Sequence, residues 1–323
     1  MKMKFNSLQF NSQAINIDIS TYAMEPLSVN KKYEEILQGY KTKFKRKSVK
    51  SFIFSKDGIC DLIKSLKGKI AVSLGESEYI VQAALKAKDE GLNITFFDIK
   101  KDGTVDTNSL DRFDFIFLSS YVMDTYVKVD LEEVKNSTKA KLISNVSANM
   151  SSYSDIYLLD TYKLTGIGGM GVVVYEDEFE DEAVSLTNLL ALDLSLKALE
   201  KQQVNSDVKY KFLEEFKKEF KEDLYLFVDA NKTLDYTLHV GLKGIKMREI
   251  IRTLALENIF LSNGEGCSLG LSKPSRVLQT MGYSEAEARW GLSLDFSEDL
   301  DDETIKIIVK KINKKYRQIK VLG

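Results

Sequence analysis

Short apolar runs recur between residues 50 and 175, each followed by a polar or helical stretch, and this alternation restricts the possible folds more than any other feature. Residues 51–55, 69–74, 92–97, 113–118, 141–144, 156–159 and 171–175 read as strands, and 58–67 and 78–89 carry helical spacing. Strands buried on both faces read as continuous apolar runs, and helices between them predict a mostly parallel sheet covered on both sides. The expected fold class is therefore α/β.

From 181 to 221 the pattern turns helical, with Leu186, Leu189, Leu190, Leu192, Leu194 and Leu196 crowded together. That run predicts a long helix joining two lobes, its leucines serving as core packing. Beyond it, 224–228 and 237–241 read as strands and 247–256, 275–281 and 305–316 as helices, which predicts a smaller α+β lobe. A length of 323 residues suits such a division. We expect an N-terminal segment over 1–49, a large domain over 50–200 and a small C-terminal domain over 201–323.

The charge balance, 46 basic against 48 acidic side chains for a net −2, carries no footprint for nucleic acid. The basic run at 41–47 reads as a solvated helix end or loop. No apolar stretch reaches the roughly 20 residues needed to span a bilayer. Residues 1–10 lack the apolar centre and cleavage site of a signal peptide. Two cysteines, Cys60 and Cys267, make neither a disulfide framework nor a four-cysteine zinc site and fit a reducing cytoplasm. The single histidine, His239, excludes His-rich metal sites and lies in an alternating strand as a packed side chain. Cys60, in a helical stretch, reads as core.

Two segments remain that carry chemistry. In residues 155–172 a buried strand delivers Lys163, and Gly166, Gly168, Gly169 and Gly171 follow it. A lysine amine becomes nucleophilic where desolvation or a neighbouring cation lowers its pKa, and adjacent glycines let the backbone approach a planar ligand. A surface lysine before a hairpin turn has the same spacing. In residues 259–270, Cys267 sits among Gly264, Gly266 and Gly270, an unusual setting for a structural thiol and a suitable one for a nucleophile.

These segments resemble the cysteine desulfurases, a class V aminotransferase family. Ser262-Asn263-Gly264-Glu265-Gly266-Cys267-Ser268, then Pro274-Ser275-Arg276-Val277-Leu278, is similar to the family's Ser-x-Gly-Ser-x-Cys loop and the Pro-Ser-x-Val-Leu helix after it. The Lys163 segment resembles Ser-x-His-Lys-x-x-Gly-Pro-x-Gly-x-Gly, and Asp102-Gly103-Thr104-Val105-Asp106 resembles Asp-Gly-x-Val-Asp. The resemblance implies a type I pyridoxal-phosphate transferase fold and a homodimer. It places Lys163 as the Schiff-base lysine and Cys267 as the acceptor of sulfur, as a persulfide, from L-cysteine with release of alanine. It also implies a sulfur-acceptor protein as partner, as in iron–sulfur cluster assembly.

The same alignment places other residues at cofactor positions where the residue type departs from the family. Asp160 stands at the phosphate serine, Tyr162 at the histidine beside the lysine, Ser77 at the ring-stacking histidine and Asn145 at the pyridinium aspartate. Ser293 replaces the arginine that binds the substrate carboxylate, with Arg276 and Arg289 nearby as substitutes. These departures set a second expectation beside the enzyme: a catalytically degenerate paralogue acting as scaffold or regulatory partner.

Overall fold

The apolar runs pair because each buries both of its faces. The computed structural model describes residues 3–5, 30–108, 110–179, 187–200, 207–264, 273–296 and 299–322. In its first part β1 (Met3–Lys4), α1 (Lys31–Phe44), β2 (Ser48–Phe52), α2 (Lys56–Ser65), β3 (Ile70–Ser73), α3 (Glu78–Asp89) and β4 (Ile94–Phe97) follow one another. β5 (Phe115–Phe117), α4 (Leu131–Ser137), β6 (Lys141–Asn145), β7 (Ile156–Asp160), α5 (Thr161–Thr165) and β8 (Gly171–Tyr175) continue the series.

Seven of these strands form one mixed sheet in the order β2-β8-β7-β6-β5-β3-β4. β7, β6, β5, β3 and β4 are parallel, and β8 runs antiparallel to both β7 and β2. Alternate residues divide between two layers, as the strand period of two requires. Leu142, Leu159 and Val172 pack with Tyr40 and Leu196 on one face. Ile143, Leu158 and Val173 pack with Ile63 and Ala83 on the other. Each fully buried aliphatic side chain contributes roughly 1.5–3 kcal/mol, against about 1 kcal/mol for a typical hydrogen bond, so these two layers dominate the stability of the sheet.

The 181–221 run is seen as two helices, α6 (Leu189–Glu200) and α7 (Asp207–Phe220), with 201–206 outside the described residues. After them come β9 (Leu224–Tyr225), β10 (Thr237–Leu242), α8 (Met247–Ala255), β11 (Ile259–Phe260), α9 (Arg276–Thr280), α10 (Glu285–Ala288), β12 (Gly291–Asp295) and α11 (Asp302–Leu322). β12, β10 and β9 form an antiparallel sheet. α7, α8 and α11 cover it through Phe212, Phe216, Ile250, Ile308 and Ile312. β9 is shorter than the expected 224–228, because Phe227 and Val228 leave the sheet to pack against Val122 and Tyr283.

α1 is a helix the sequence reading did not delimit. Ile36, Tyr40 and Phe44, four residues apart, form its buried stripe, and Asn30 caps it by accepting from the Tyr33 N–H. The basic run at 41–47 is the end of this helix and the turn after it.

Candidate active site

The C-terminal ends of β3, β5, β6 and β7 lie along one edge of the large sheet. Chain order reverses between β3 and β5, and open α/β sheets place ligands at such a reversal. β7 ends on Asp160, whose Oδ1 accepts from the Tyr162 N–H at 2.9 Å and caps α5. Lys163 lies inside this short helix and is 5% exposed. Its Nζ stands 3.9 Å from Asp160 Oδ2. Gly166 ends the helix at φ 84°, a left-handed conformation that glycine adopts without strain.

From Asp160 a chain of short contacts runs across the strand ends. Its N–H donates to Ser147 Oγ at 2.6 Å. Ser147 in turn donates to Asn145 Oδ1 twice, from its hydroxyl at 2.7 Å and its N–H at 3.0 Å. A backbone N–H only donates, so the carboxamide must turn its oxygen to Ser147 and its NH2 away. Asn145 Nδ2 is buried there without a hydrogen-bond partner. On the next strand end, the Ser120 hydroxyl donates to Asn149 O at 2.6 Å, and Asn149 Nδ2 returns a bond to Ser120 O at 3.1 Å.

Across the reversal point, buried Glu76 accepts from the Ser119 N–H and from Ser119 Oγ. Ser77 caps α3, accepting from the Ile80 N–H. Burial holds the Asp160 carboxyl above the usual carboxylate range, against the opposing pull of Lys163 and two backbone N–H groups.

Of the residues marked in the sequence, Lys163, Asp160 and Asn145 are joined in one linked set, Ser77 stands beyond the end of β3, two strands from β6, and Tyr162 is 37% exposed on α5. Cys267 lies outside the described residues. Sequence reasoning passed over Glu76, Ser119, Ser120 and Ser147. Their signal was present: a hydroxyl or acid placed directly after an apolar strand has no reason to be there for packing.

On the small sheet, Ser293 Oγ donates to Asp124 O at 3.1 Å and lies 3.0 Å from His239 Nδ1. With the serine proton given to the carbonyl, His239 Nδ1 is the donor of its pair. Burial pushes His239 down to about 3, so it is neutral at ordinary pH. Tyr126 is raised well above its ordinary value by burial, with Asp295 and Asp124 beside it. Neither suggested substitute arginine faces Ser293 as a free cation. Arg276 donates to Glu78, Leu74 O and Glu76 O, and Arg289 pairs with Glu285.

No family model matches the chain. The cysteine desulfurase IscS of Rickettsia peacockii (strain Rustic) is 21% identical over 299 residues, covering 80% of this chain and 72% of that protein. The chain is a distant relative of the cysteine desulfurases. In three dimensions, a NifS-like protein superposes with TM-score 0.72 at 12% identity, over 97% of this chain and 99% of that one. SspA, solved in complex with cysteine, gives 0.66 at 16%, over 85% and 90%. These likenesses establish the α/β fold with its seven-stranded mixed sheet.

Cysteine desulfurases are pyridoxal-phosphate enzymes, and the orphaned Asn145 Nδ2 tests whether this edge fits that cofactor. A buried donor without a partner costs about 1–3 kcal/mol, and an acceptor such as a ring nitrogen relieves it. Lys163 supplies a buried amine at the same edge. Asp160 stands beside Lys163, and burial holds its carboxyl above the usual carboxylate range. Lys163 and Asn145 fit the group.

Proposed function

We propose that the chain is a cysteine desulfurase-like enzyme that holds pyridoxal phosphate at this edge through the amine of Lys163. The buried lysine, linked through Asp160 and Ser147 to the unpartnered Asn145 amide, is the observation that carries the reading. Asn145 would serve the ring nitrogen, with Asp160, Tyr162 and Ser77 around the remainder. When bound, the cofactor supplies an electron sink for bond cleavage in an amino acid. Asn145 donates a hydrogen bond but carries no charge to keep a ring nitrogen protonated, so that sink is weaker here than beside an aspartate.

L-cysteine is the proposed substrate, in keeping with the cysteine bound to SspA. Cys267 would take its sulfur as a persulfide, release alanine and pass the sulfur to an acceptor protein. A homodimer with the large domain over 50–200 and the small domain over 201–323 belongs to the same reading, as does a cytoplasmic setting. Among the described residues no helix is long and apolar enough to cross a membrane. None of their His, Cys, Asp and Glu side chains group to hold a metal ion.

A second reading, a degenerate paralogue acting as scaffold or regulatory partner, is favoured by Ser293 and by the engagement of Arg276 and Arg289 elsewhere. Incubation with pyridoxal phosphate, borohydride reduction and peptide mapping decide between the two. A pyridoxyl adduct on Lys163, absent in Lys163→Ala, supports the enzyme and leads to an assay of alanine released from cysteine. A colourless protein without adduct overturns it in favour of the scaffold.

A further inference from the structure

Asn145 closes β6 and is 1% exposed. Its backbone carbonyl accepts from the Ser120 N–H and from the Ser120 hydroxyl, each at 3.2 Å. The next N–H, of Val146, donates to Leu158 O at 3.1 Å. The main chain at this strand end is therefore held from both neighbouring strands. A carboxamide oxygen carries two lone pairs, and Ser147 fills both in Asn145, one with its N–H and one with its hydroxyl. Ser147 is itself fully buried. Its hydroxyl gives its proton to Asn145 and accepts from the Asp160 N–H, and Asp160 caps the helix that carries Lys163.

Turning the amide over would set its NH2 against the Ser147 N–H, donor against donor at a buried site, so its orientation is fixed. What Asn145 has left to offer is N–H donors, on a nitrogen buried without a partner. A pyridine-type nitrogen meets such a donor with its lone pair. A pyridinium nitrogen carries a hydrogen there and opposes it, and burial keeps solvent from relieving the conflict. An aspartate in the same setting would do the reverse. Ser147 would hold one of its oxygens, and the second would face the ring as an acceptor.

We infer that Ser147 is the positioning residue that fixes Asn145 as a donor, and that the site therefore takes its ring ligand with the ring nitrogen unprotonated. That this ligand is pyridoxal phosphate rests on the desulfurase reading, whereas the fixed amide does not.

Nuclear magnetic resonance on the full chain tests both parts. In the unloaded, isotopically labelled protein, a coupling across the hydrogen bond from the Ser147 amide nitrogen to Asn145 Cγ is expected, and its absence overturns the fixed amide. The protein is then loaded with pyridoxal phosphate labelled at its ring nitrogen. Wild type shows the downfield resonance of a neutral pyridine, and Asn145→Asp the upfield resonance of a pyridinium. An Asn145 that is merely structural leaves the two alike. Ser147→Ala, which keeps the N–H bond and loses the hydroxyl, holds the neutral resonance but binds the cofactor about tenfold more weakly, the worth of one hydrogen bond. Ser147→Thr, which returns a hydroxyl, recovers most of that loss.

A pyridinium resonance in the wild-type chain overturns the inference and leaves the desulfurase reading standing. Wild-type affinity in Ser147→Ala, or a threonine variant as weak as the alanine one, overturns the positioning role. A chain that takes up no cofactor removes the desulfurase, and the coupling in the unloaded protein then decides the fixed amide by itself.

Discussion

Arg276 Nε and Glu78 Oε2 meet at 2.9 Å, joining the start of α9 to the start of α3. The other two guanidinium nitrogens of Arg276 take the carbonyls of Leu74, at 2.5 Å, and Glu76, at 2.6 Å. One side chain thus closes the loop between β3 and α3, where the chain crosses the reversal point of the sheet. Arginine suits this work because its donors are fixed in one plane and reach three acceptors together.

Arg276→Ala is expected to destabilise the protein by about 2–3 kcal/mol, the range for losing charge-assisted hydrogen bonds at a partly buried site. Arg276→Lys is expected to recover little, because an ammonium lacks the planar fork. Denaturant midpoints of the two variants against wild type check this. A lysine variant as stable as the parent would show that charge alone suffices.

Gly58→Ala sets two effects against each other in the first turn of α2. Alanine favours helix by about 1 kcal/mol over glycine. A Cβ at position 58 would stand 2.0 Å from Ile53 O, and a backbone carbonyl yields less readily than the end of a side chain. Overpacking costs about 1–3 kcal/mol, so a lowered thermal midpoint is expected. A raised one would mean that α2 starts with more room than its contact with Ile53 shows.

His239 makes stability depend on acidity. Its folded value of about 3 lies below the 6.5 of an exposed histidine, so between those values the unfolded chain binds a proton that the folded chain refuses. Stability contributed by the neutral ring is complete above pH 6.5 and falls as the medium acidifies, by up to about 1.4 kcal/mol per pH unit. His239→Gln is expected to remove this slope, so that the gap between variant and wild type changes steadily from pH 6.5 to 4.5. Parallel pH profiles for the two proteins would place the titration elsewhere.

The strands of the large sheet were legible because their residues answer to one demand, burial on both faces, and runs such as 141–144 and 171–175 leave little choice. The α/β class followed from them. The site was legible only in part. Lys163 stood out through the glycines after it, whereas Asn145, Asp160 and Ser77 were marked by alignment with a family and not by their own pattern. The bond from the Asp160 N–H to Ser147 Oγ joins residues 13 apart in sequence, and that between Ser275 and Asp124 joins residues 151 apart. Pairings of this kind depend on where strand ends fall in space, which local propensity does not encode. Arg276 shows the opposite failure, since its position suggested a substrate contact and its actual partners are the Glu78 carboxylate and two of the chain's own carbonyls.

The hydroxyl and carboxamide links from Ser120 through Asn149, and from Asn145 through Ser147 to Asp160, bind neighbouring strand ends to one another with groups the protein itself provides. Such an edge keeps its outline without help from any guest. The Asp160 link is made by its backbone N–H, which any residue but proline would supply, so a replacement there can leave the scaffold intact. A lineage built this way is free to trade one reaction for another, or for none, and still fold.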